Sequence, residues 1–315
     1  MNPGKISENV LKRSVLKNIN NKSNGAGLDC AIFTGYVANE SEPACASHAI
    51  IRACNNASVA GYRANMVALS VSMPEHMREI KLKNIIREAD NTAQKLGVII
   101  KDGHTETVAG LTYPIVTATV VASLLSPANG RESAWRPVCP KPGQAIVMTK
   151  WMAMSGGARI ARVHKDELLT RLPEYIVDDA IELEQFMSVA KEAAVAVRSD
   201  AICMNDCSDG GIFAALWQLG DINGVGLSVN LRDIPVRQET IEVCEFYDIN
   251  PYKLRSDGSV LIVTDAPDAL IEALAKENVP GTKIGEITNG IDRVIISGDD
   301  RRFLEEPRQD EGVML

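Results

Sequence analysis

The chain has 315 residues, of which 45% are hydrophobic and 23% charged, and its formal net charge is −8. Such a length and apolar content can bury two ordinary hydrophobic cores. The acidic balance argues against nucleic acid or an anionic membrane surface as a partner. No apolar stretch reaches the roughly 18 residues of a membrane span, and the first residues do not resemble a signal peptide. We therefore expect a cytoplasmic protein.

The seven cysteines are odd in number and scattered, which favours reduced thiols. Cys203 and Cys207 come closest to a metal-binding spacing, but no second Cys or His pair follows them. We expect a buried thiol at Cys203 and a turn residue at Cys207.

The first half of the chain predicts alternating strands and helices after a short helix and polar lead-in over residues 1–23. Proline in a first helical turn and glycine after a last one mark the predicted helix ends. The strands are expected near residues 28–37, 65–71, 98–100 and 114–125, and the helices from Glu42-Pro43 past Cys54 and from Pro74-Glu75 through Leu96. Residues 126–144 contain four prolines and two glycines, which favours a domain boundary there.

The second half restarts the pattern, so we predict an α/β protein with an N-terminal domain over residues 1–135 and a C-terminal domain over 136–315. Residues 304–315 are predicted to be a mobile tail that is dispensable for catalysis. The other predicted elements are strands at 145–149, 260–264, 283–287 and 293–296, a helical region over 173–197, and helices at 239–247 and 267–278.

The most informative segment is Ala201–Gly220, an apolar strand followed by an acidic, glycine-containing turn and a helix. Glycines admit close backbone approach, a helix N-terminus attracts anions, and carboxylates hold cations. Asp206, Asp209 and the pair Gly210-Gly211 are therefore candidates for a phosphate or metal site. The alternative is an ordinary helix cap.

A glycine-containing loop near the beginning of the chain has similar chemistry. Gly25 and Gly27 precede Asp29, which enters a predicted strand. Backbone N–H groups of such a loop can converge on phosphate oxygens while the aspartate holds Mg²⁺. The pattern matches neither the Walker loop nor the dinucleotide fingerprint.

Three other places carry candidate side chains. His104 and Glu106 point the same way if their segment is extended, as an acid–base or cation-holding pair, or they lie in a polar loop. Asn55-Asn56 offers amide oxygens or merely caps a helix. Lys150-Trp151 is either a basic contact with an aromatic shelf or a strand-end lysine beside a buried tryptophan.

Taken in order, these segments resemble the aminoimidazole ribonucleotide synthetase (PurM-like) superfamily of ATP-dependent enzymes. The branch is that of the hydrogenase-maturation HypE and AIR synthase-related proteins. The resemblance spans essentially the whole chain. It is carried by Gly4-Lys5, Gly25–Ala31, Gly103–Glu106, Lys141–Trp151, Asp206–Gly211 and Ile234–Pro251.

The resemblance implies two α/β domains, with an N-terminal domain that binds ATP and forms a homodimer by closing a shared β-barrel. It implies that ATP and Mg²⁺ phosphorylate an amide or carboxylate oxygen of a substrate, so that this oxygen becomes a leaving group. A protein partner or an active homologue is a further implied interaction.

The resemblance also assigns roles to residues. Asp29 would contact Mg²⁺ and phosphate, with Asn39 and Asn56 at the other metal positions. Glu106, His104 and Asp206 would face the nucleotide or the reacting group as catalytic residues. The remaining cofactor contacts would come from Lys5, Gly25, Gly27, Asn56, Asp209, Gly210 and Gly211.

Two departures from the family pattern bear on activity. Relatives carry Ser-Thr-Asp-Pro and Asn-Asp where this chain has Val37-Ala38-Asn39-Glu40 and Asn55-Asn56, so two metal-binding carboxylates are replaced by amides. HypE proteins end in a cysteine, whereas the last cysteine here is Cys244. Three interpretations follow: an ATP-dependent enzyme with an unknown substrate, a degenerate nucleotide-binding paralogue that acts as a scaffold or regulatory partner, and a hydrogenase maturation factor.

Overall fold

The computed structural model describes residues 30–38, 44–125, 135–306 and 310–314, together with Ser14 and Lys17. The chain divides into two compact units. The N-terminal unit comprises Asp29–Pro137 and Ser188–Asp200, and the C-terminal unit includes Val138–Met187 and Ala201–Leu315. The division near residue 137 lies close to the predicted boundary, but Ser188–Asp200 joins the N-terminal unit, which the sequence did not indicate.

The described part of the chain before residue 126 forms four strands and two helices. They are β1 Cys30–Ala38, α1 Ala44–Val59, β2 Tyr62–Pro74, α2 Glu79–Leu96, β3 Ile99–Val108 and β4 Ile115–Leu124. Gly97 has the left-handed conformation that ends α2, as its position predicts. The start of α2 was predicted five residues too early, because β2 continues to Pro74.

The middle of the chain is mainly helical. It contains β5 Ala145–Thr149, α3 Met154–Val163, α4 Lys165–Leu168, α5 Glu174–Glu182, a 3₁₀ turn Leu183–Phe186 and α6 Ala190–Arg198. The continuous helical region predicted for 173–197 is therefore interrupted, and α3 was not predicted at all. The sequence of α3 contains Gly156 and Gly157, which are poor helix formers.

The last third completes the second sheet. It contains β6 Cys203–Cys207, α7 Gly211–Asn223, β7 Gly226–Asn230, α8 Gln238–Phe246, β8 Ser259–Thr264, α9 Pro267–Lys276, β9 Gly281–Thr288, β10 Arg293–Ser297 and β11 Asp300–Phe303, with 3₁₀ turns at Leu231–Asp233, Pro251–Lys253 and Glu311–Met314. Strands β7 and β11 were missed in the sequence analysis, and β3 continues to Val108, well beyond its predicted end at residue 100. The other strands were predicted to within a few residues. No helix in the described ranges is both long and apolar enough to cross a bilayer.

The N-terminal unit has a four-stranded sheet in the order β1-β4-β2-β3, in which only β2 and β3 are parallel. Along β4 every second residue is buried, from Val116 to Ala122, on the face that packs against α1. The opposite face is open, since Ile32 is 70% and Tyr36 53% exposed. α6 joins this unit because Asn55 Oδ1 of α1 accepts a hydrogen bond from the N–H of Val189, at 3.0 Å.

The C-terminal unit has a seven-stranded sheet in the order β11-β10-β7-β9-β5-β8-β6. Every residue of β5 and β8 is buried, as expected for central strands that are covered on both faces. The mixed α/β class predicted from the sequence is thus confirmed.

Candidate functional site

The turn between β6 and α7 is the centre of the candidate site in the C-terminal unit. β6 ends at Cys207, and Gly210 and Gly211 have φ angles of 80° and 66°. A Cβ on Gly211 would lie 2.5 Å from the carbonyl oxygen of Leu254 and 2.7 Å from that of Tyr252. Both the backbone conformation and the close packing therefore require glycine at position 211, and the predicted strand–turn–helix is confirmed.

Two carboxylates flank this turn. Asp209 forms an ion pair with Arg255, with Oδ1 and Nε 3.1 Å apart. Asp206 is half-buried within β6 and pairs with Val260 of β8. The N–H of Ser256 donates to the carbonyl of Ser208 at 3.3 Å. The segment that carries Arg255 therefore contacts the turn through a backbone hydrogen bond as well as through the ion pair with Asp209.

Sequence reasoning missed a buried pair beside the same segment. The hydroxyl of Ser155 donates to Asp257 Oδ2 at 2.8 Å and accepts from the N–H of Asp257 at 2.8 Å. Both side chains are buried. Ser155-Gly156-Gly157 and Ser256-Asp257-Gly258 resemble the run at 208–211, which marks each segment as a candidate but does not indicate that the two segments meet.

The C-terminal segment contacts the turn directly. Asp310 Oδ2 accepts a hydrogen bond from the N–H of Gly210 at 2.7 Å, and Oδ1 accepts one from Gly312 at 2.8 Å. Burial raises the pKa of Asp310, whereas the two N–H donors and Arg255 oppose that rise. The tail that was expected to be mobile is thus packed at residue 310. The buried carboxylate of Asp310 accepts hydrogen bonds from two backbone N–H groups, those of Gly210 and Gly312.

The two cysteines of β6 lie at the first and the last position of this five-residue strand. Cys203 and Cys207 are both buried, and burial raises the pKa of Cys203 to about 12 and that of Cys207 well above its usual range. Protonated thiols are poor metal ligands. The expectation of a buried thiol at Cys203 is confirmed, whereas Cys207 ends the strand and does not lie in the turn.

His104 and Glu106 lie in β3 of the N-terminal unit. Their segment is extended, as one of the two interpretations required, and His104 Nε2 is 3.7 Å from Glu106 Oε2. Ser72 of the neighbouring strand β2 donates to Glu106 Oε1 at 3.0 Å. The two side chains are 69% and 49% exposed, so the pair is accessible and its carboxylate is oriented by a hydroxyl.

The asparagines of α1 bond to backbone groups. Asn56 Nδ2 donates to the carbonyl of Thr34 at 3.0 Å, which joins α1 to β1. Buried Asn55 serves the start of α6 instead. The contact of Asn56 is with a neighbouring strand and does not cap a helix, and its assignment as a nucleotide or metal ligand stays a prediction.

Lys150 is buried, and its Nζ donates to the carbonyl of Phe186 at 2.6 Å. Trp151 stacks edge-on with Phe186, and the guanidinium of Arg237 lies 5.1 Å from the Trp151 ring. Of the two interpretations, the strand-end lysine with a packed tryptophan is the one that agrees with these contacts.

Several predicted site residues lie outside the described part of the chain. They are Lys5, Gly25, Gly27, Asp29 and Asn39. Within the described ranges no three His, Cys, Asp or Glu side chains converge as they would around a metal ion.

Part of the sequence matches a known protein family. Residues 141–297 match the family described as "AIR synthase related protein, C-terminal domain". The match covers 157 of the 315 residues, so it assigns the C-terminal part of the chain to this family. This assignment agrees with the resemblance drawn from the motifs, and HypE proteins are among the proteins that the chain is similar to.

The curated relatives include carbamoyl dehydratases. The chain is 25% identical to "Carbamoyl dehydratase HypE" of Rhodobacter capsulatus over 222 residues, which are 70% of this chain and 62% of that protein. The corresponding protein of Cupriavidus necator is 24% identical over 260 residues, which are 80% of this chain and 67% of the relative. The match therefore spans less than two thirds of the first of these relatives.

Solved structures show the same fold. The "Crystal Structure of Hydrogenase Maturation Protein HypE in complex with ATP" has a TM-score of 0.69 at 18% identity and covers 99% of this chain and 97% of that one. The "Crystal structure of HypE-HypF complex" has a TM-score of 0.68 at 18% identity, covering 88% of this chain and 90% of that one. At these identities the likeness concerns the fold.

Proposed function

We propose that this PurM-like protein binds ATP with Mg²⁺ and uses it to activate an amide or carboxylate oxygen of a small substrate. The observation that carries the proposal is the turn at Asp209–Gly211, where backbone N–H groups at the start of a thirteen-residue helix lie beside a carboxylate. The dehydratase relatives and the ATP complex of a structural neighbour support the same chemistry.

The turn suits a nucleotide or an anionic substrate for physical reasons. The first N–H groups of α7 have no partner within the helix, and the aligned peptide dipoles favour an anion there. Oxygen atoms of Asp206 and Asp209 are of the type that Mg²⁺ prefers. When bound, MgATP supplies the phosphoryl group that makes the substrate oxygen a leaving group.

In the N-terminal unit we assign proton transfer to Glu106 and His104. Ser72 orients the carboxylate of Glu106 by donating to Oε1, which leaves Oε2 towards His104. A carboxylate and an imidazole on one strand face can take up and return a proton while a substrate amide loses its oxygen.

The proposal includes a homodimer formed through the N-terminal sheet. The face that carries Ile32 and Tyr36 is apolar and exposed, and β3 is exposed along nearly all of its length. Exposed strands and apolar faces are normally covered by a partner. A second protein partner is supported by the HypE-HypF complex among the structural neighbours.

Calorimetry with ATP, with and without Mg²⁺, tests the proposal. The wild type should bind ATP more tightly with Mg²⁺, and Asp209→Asn should weaken that binding at least about tenfold, as expected for one lost charged contact. Asp221→Asn is the matched control, because Asp221 pairs with Arg293 at the opposite end of α7, at 3.5 Å. Absent ATP binding, or equal losses in both variants, would contradict the proposal.

A second candidate function is that of a degenerate nucleotide-binding paralogue that serves as a scaffold or regulatory partner. The specific observation in its favour is Asn56, whose amide is engaged with the carbonyl of Thr34 at 3.0 Å. In the same calorimetric experiment this candidate predicts weak ATP binding that does not depend on Mg²⁺.

A further inference from the structure

Arg237 and Trp151 form a surface cluster in the C-terminal unit that the proposed function leaves unused. The guanidinium of Arg237 lies 5.1 Å from the Trp151 ring, and its Nε donates to Glu239 Oε1 at 2.8 Å. The side chain of Glu239 is only 7% exposed, whereas that of Arg237 is 45% exposed. An aromatic ring and a buried carboxylate therefore fix the orientation of an exposed guanidinium.

The backbone on both sides of Trp151 has an uncommon conformation. Lys150 and Ala153 have φ angles of 54° and 58°, although neither is a glycine. Such left-handed residues cost free energy, and they persist where the surrounding contacts require them. Here the N–H of Met152 donates to the carbonyl of Pro235 at 2.9 Å. The tryptophan is thereby held beside the segment that precedes α8.

The terminal nitrogens of Arg237, Nη1 and Nη2, have no hydrogen-bond acceptor among the residues that the structure describes. They form a planar fork that can bind a carboxylate or a phosphate through two parallel hydrogen bonds. Phe186 meets the Trp151 ring edge-on, with the centroids 5.6 Å apart, and is itself 39% exposed. The cluster thus offers an anion site beside an exposed apolar surface.

The charge of the cluster distinguishes between these two anions. Arg237 is already paired with the buried carboxylate of Glu239. A bound carboxylate adds one negative charge to this pair, whereas a phosphate monoester adds roughly two at neutral pH. Repulsion by the carboxylate of Glu239 therefore favours a carboxylate ligand over a phosphate.

We propose that Arg237 binds the carboxylate of a small substrate, whose apolar or aromatic part lies against Phe186 and Trp151. The inference rests on the proposed function, because it names the group by which the substrate of that reaction is recognised. This carboxylate is distinct from the oxygen that is activated, since both of its oxygens accept hydrogen bonds from the fork. Arg237 is a binding residue, and no bond to it forms or breaks.

Benzoate is a suitable probe, since it joins a monoanionic carboxylate to a planar apolar ring. Calorimetry on the full chain should show that the wild type binds benzoate at least about ten times more tightly than benzamide, which has a similar shape and no charge. The wild type should also bind benzoate more tightly than phenyl phosphate, which carries roughly two negative charges.

Arg237→Gln should raise the dissociation constant for benzoate at least about tenfold, because a charged, hydrogen-bonded contact is lost. Arg237→Lys keeps the charge without the fork and should cause a smaller loss, and it serves if the glutamine variant fails to fold. Arg171→Gln is the matched control, because Arg171 is also exposed and lies 5.2 Å from the Phe246 ring in the same unit. The control should leave benzoate binding unchanged.

Three results would overturn the carboxylate site: no benzoate binding by the wild type, equal affinities in the wild type and the Arg237 variants, or tighter binding of phenyl phosphate than of benzoate. Equal losses in Arg237→Gln and Arg171→Gln would also overturn it. ATP titrations with Mg²⁺ separate this failure from that of the proposed function. ATP binding without benzoate binding overturns the carboxylate site alone, whereas benzoate binding without ATP binding overturns the ATP-dependent reaction and leaves Arg237 as a carboxylate-binding residue.

Discussion

The two units of this protein bury their sheets to different extents. In the C-terminal unit the central strands β5 and β8 are buried at every position. In the N-terminal unit β4 alternates between buried and partly exposed residues, and Ile32 and Ile99 on the two edge strands are 70% and 63% exposed. The C-terminal sheet is therefore covered by its own chain on both faces, whereas the N-terminal sheet is covered on one face and exposes Ile32 and Tyr36 on the other.

The comparison also separates two kinds of candidate site. The C-terminal turn is built from backbone and from buried contacts, because glycine at position 211 is required by the carbonyl oxygens of Tyr252 and Leu254. The pair of His104 and Glu106 is exposed on a strand with little packing. Substitutions at the C-terminal turn should therefore affect folding, whereas substitutions of His104 or Glu106 should mainly affect chemistry or association.

The largest effect is expected at Gly211. Gly211→Ala introduces a Cβ 2.5 Å from a backbone oxygen at a φ of 66°, which should lower the free energy of unfolding by about 3 kcal/mol. Gly224→Ala is the control, because Gly224 has a φ of 64° and an added Cβ would meet no atom within 4 Å. Its free energy of unfolding should therefore fall by only about 1 kcal/mol. Urea denaturation measures both, and equal losses would show that close packing at the turn contributes nothing.

The open sheet face should be the next most sensitive region. We expect a dimer at micromolar concentration by light scattering, and Ile32→Lys should raise the dimer dissociation constant at least about a hundredfold, since it buries a charge in an apolar contact. Ile222→Lys in α7 is the control at a similar exposure, 73% against 70%. A monomeric wild type, or equal dissociation of both variants, would contradict dimerisation through this face.

A smaller effect is expected at Asn39 and Asn56, the two amides predicted to occupy metal-ligand positions. Asn39→Asp combined with Asn56→Asp should strengthen the Mg²⁺ dependence of ATP binding, and Asp29→Asn should abolish it. The structure adds a cost, because Asn56→Asp replaces a donor to the carbonyl of Thr34 and should lower stability by about 1–2 kcal/mol. Unchanged Mg²⁺ dependence together with a silent Asp29→Asn would show that the cation site lies elsewhere.

The smallest effect concerns pH and Tyr247 in the helical part of the C-terminal unit. Burial, followed by the hydrogen bond to Glu167, raises the pKa of Tyr247 from 10.0 to about 12. An acid whose pKa rises on folding stabilises the fold below its unfolded pKa, and this contribution is lost as the pH rises from 10 to 12. Tyr247→Phe should flatten the stability profile in that window, as followed by urea midpoints, whereas an unchanged slope would contradict the assignment.

Much of this architecture could be predicted from the sequence, because local patterns determined it. The apolar run 145–149 and the β-branched run 115–124 became strands at nearly the predicted bounds. Gly97 and the Asp-Gly-Gly turn also have the predicted positions, since left-handed conformations and tight turns depend on residue type. The superfamily could be identified for the same reason, as its motifs are short local segments.

The features that could not be predicted depend on contacts between segments that are distant in the sequence. No local pattern indicates that Ser155 meets Asp257, that Arg255 pairs with Asp209, or that Asn55 serves the start of α6. The tail gives the clearest example, because residues 304–315 have the composition of a mobile segment, yet Asp310 is buried against Gly210. The sequence by itself determined the elements and the glycine turn, since backbone preferences are local. Only the tertiary structure decided which carboxylate lies at that turn, because Asp310 is brought to the N–H of Gly210 and to Arg255 from a distant part of the sequence.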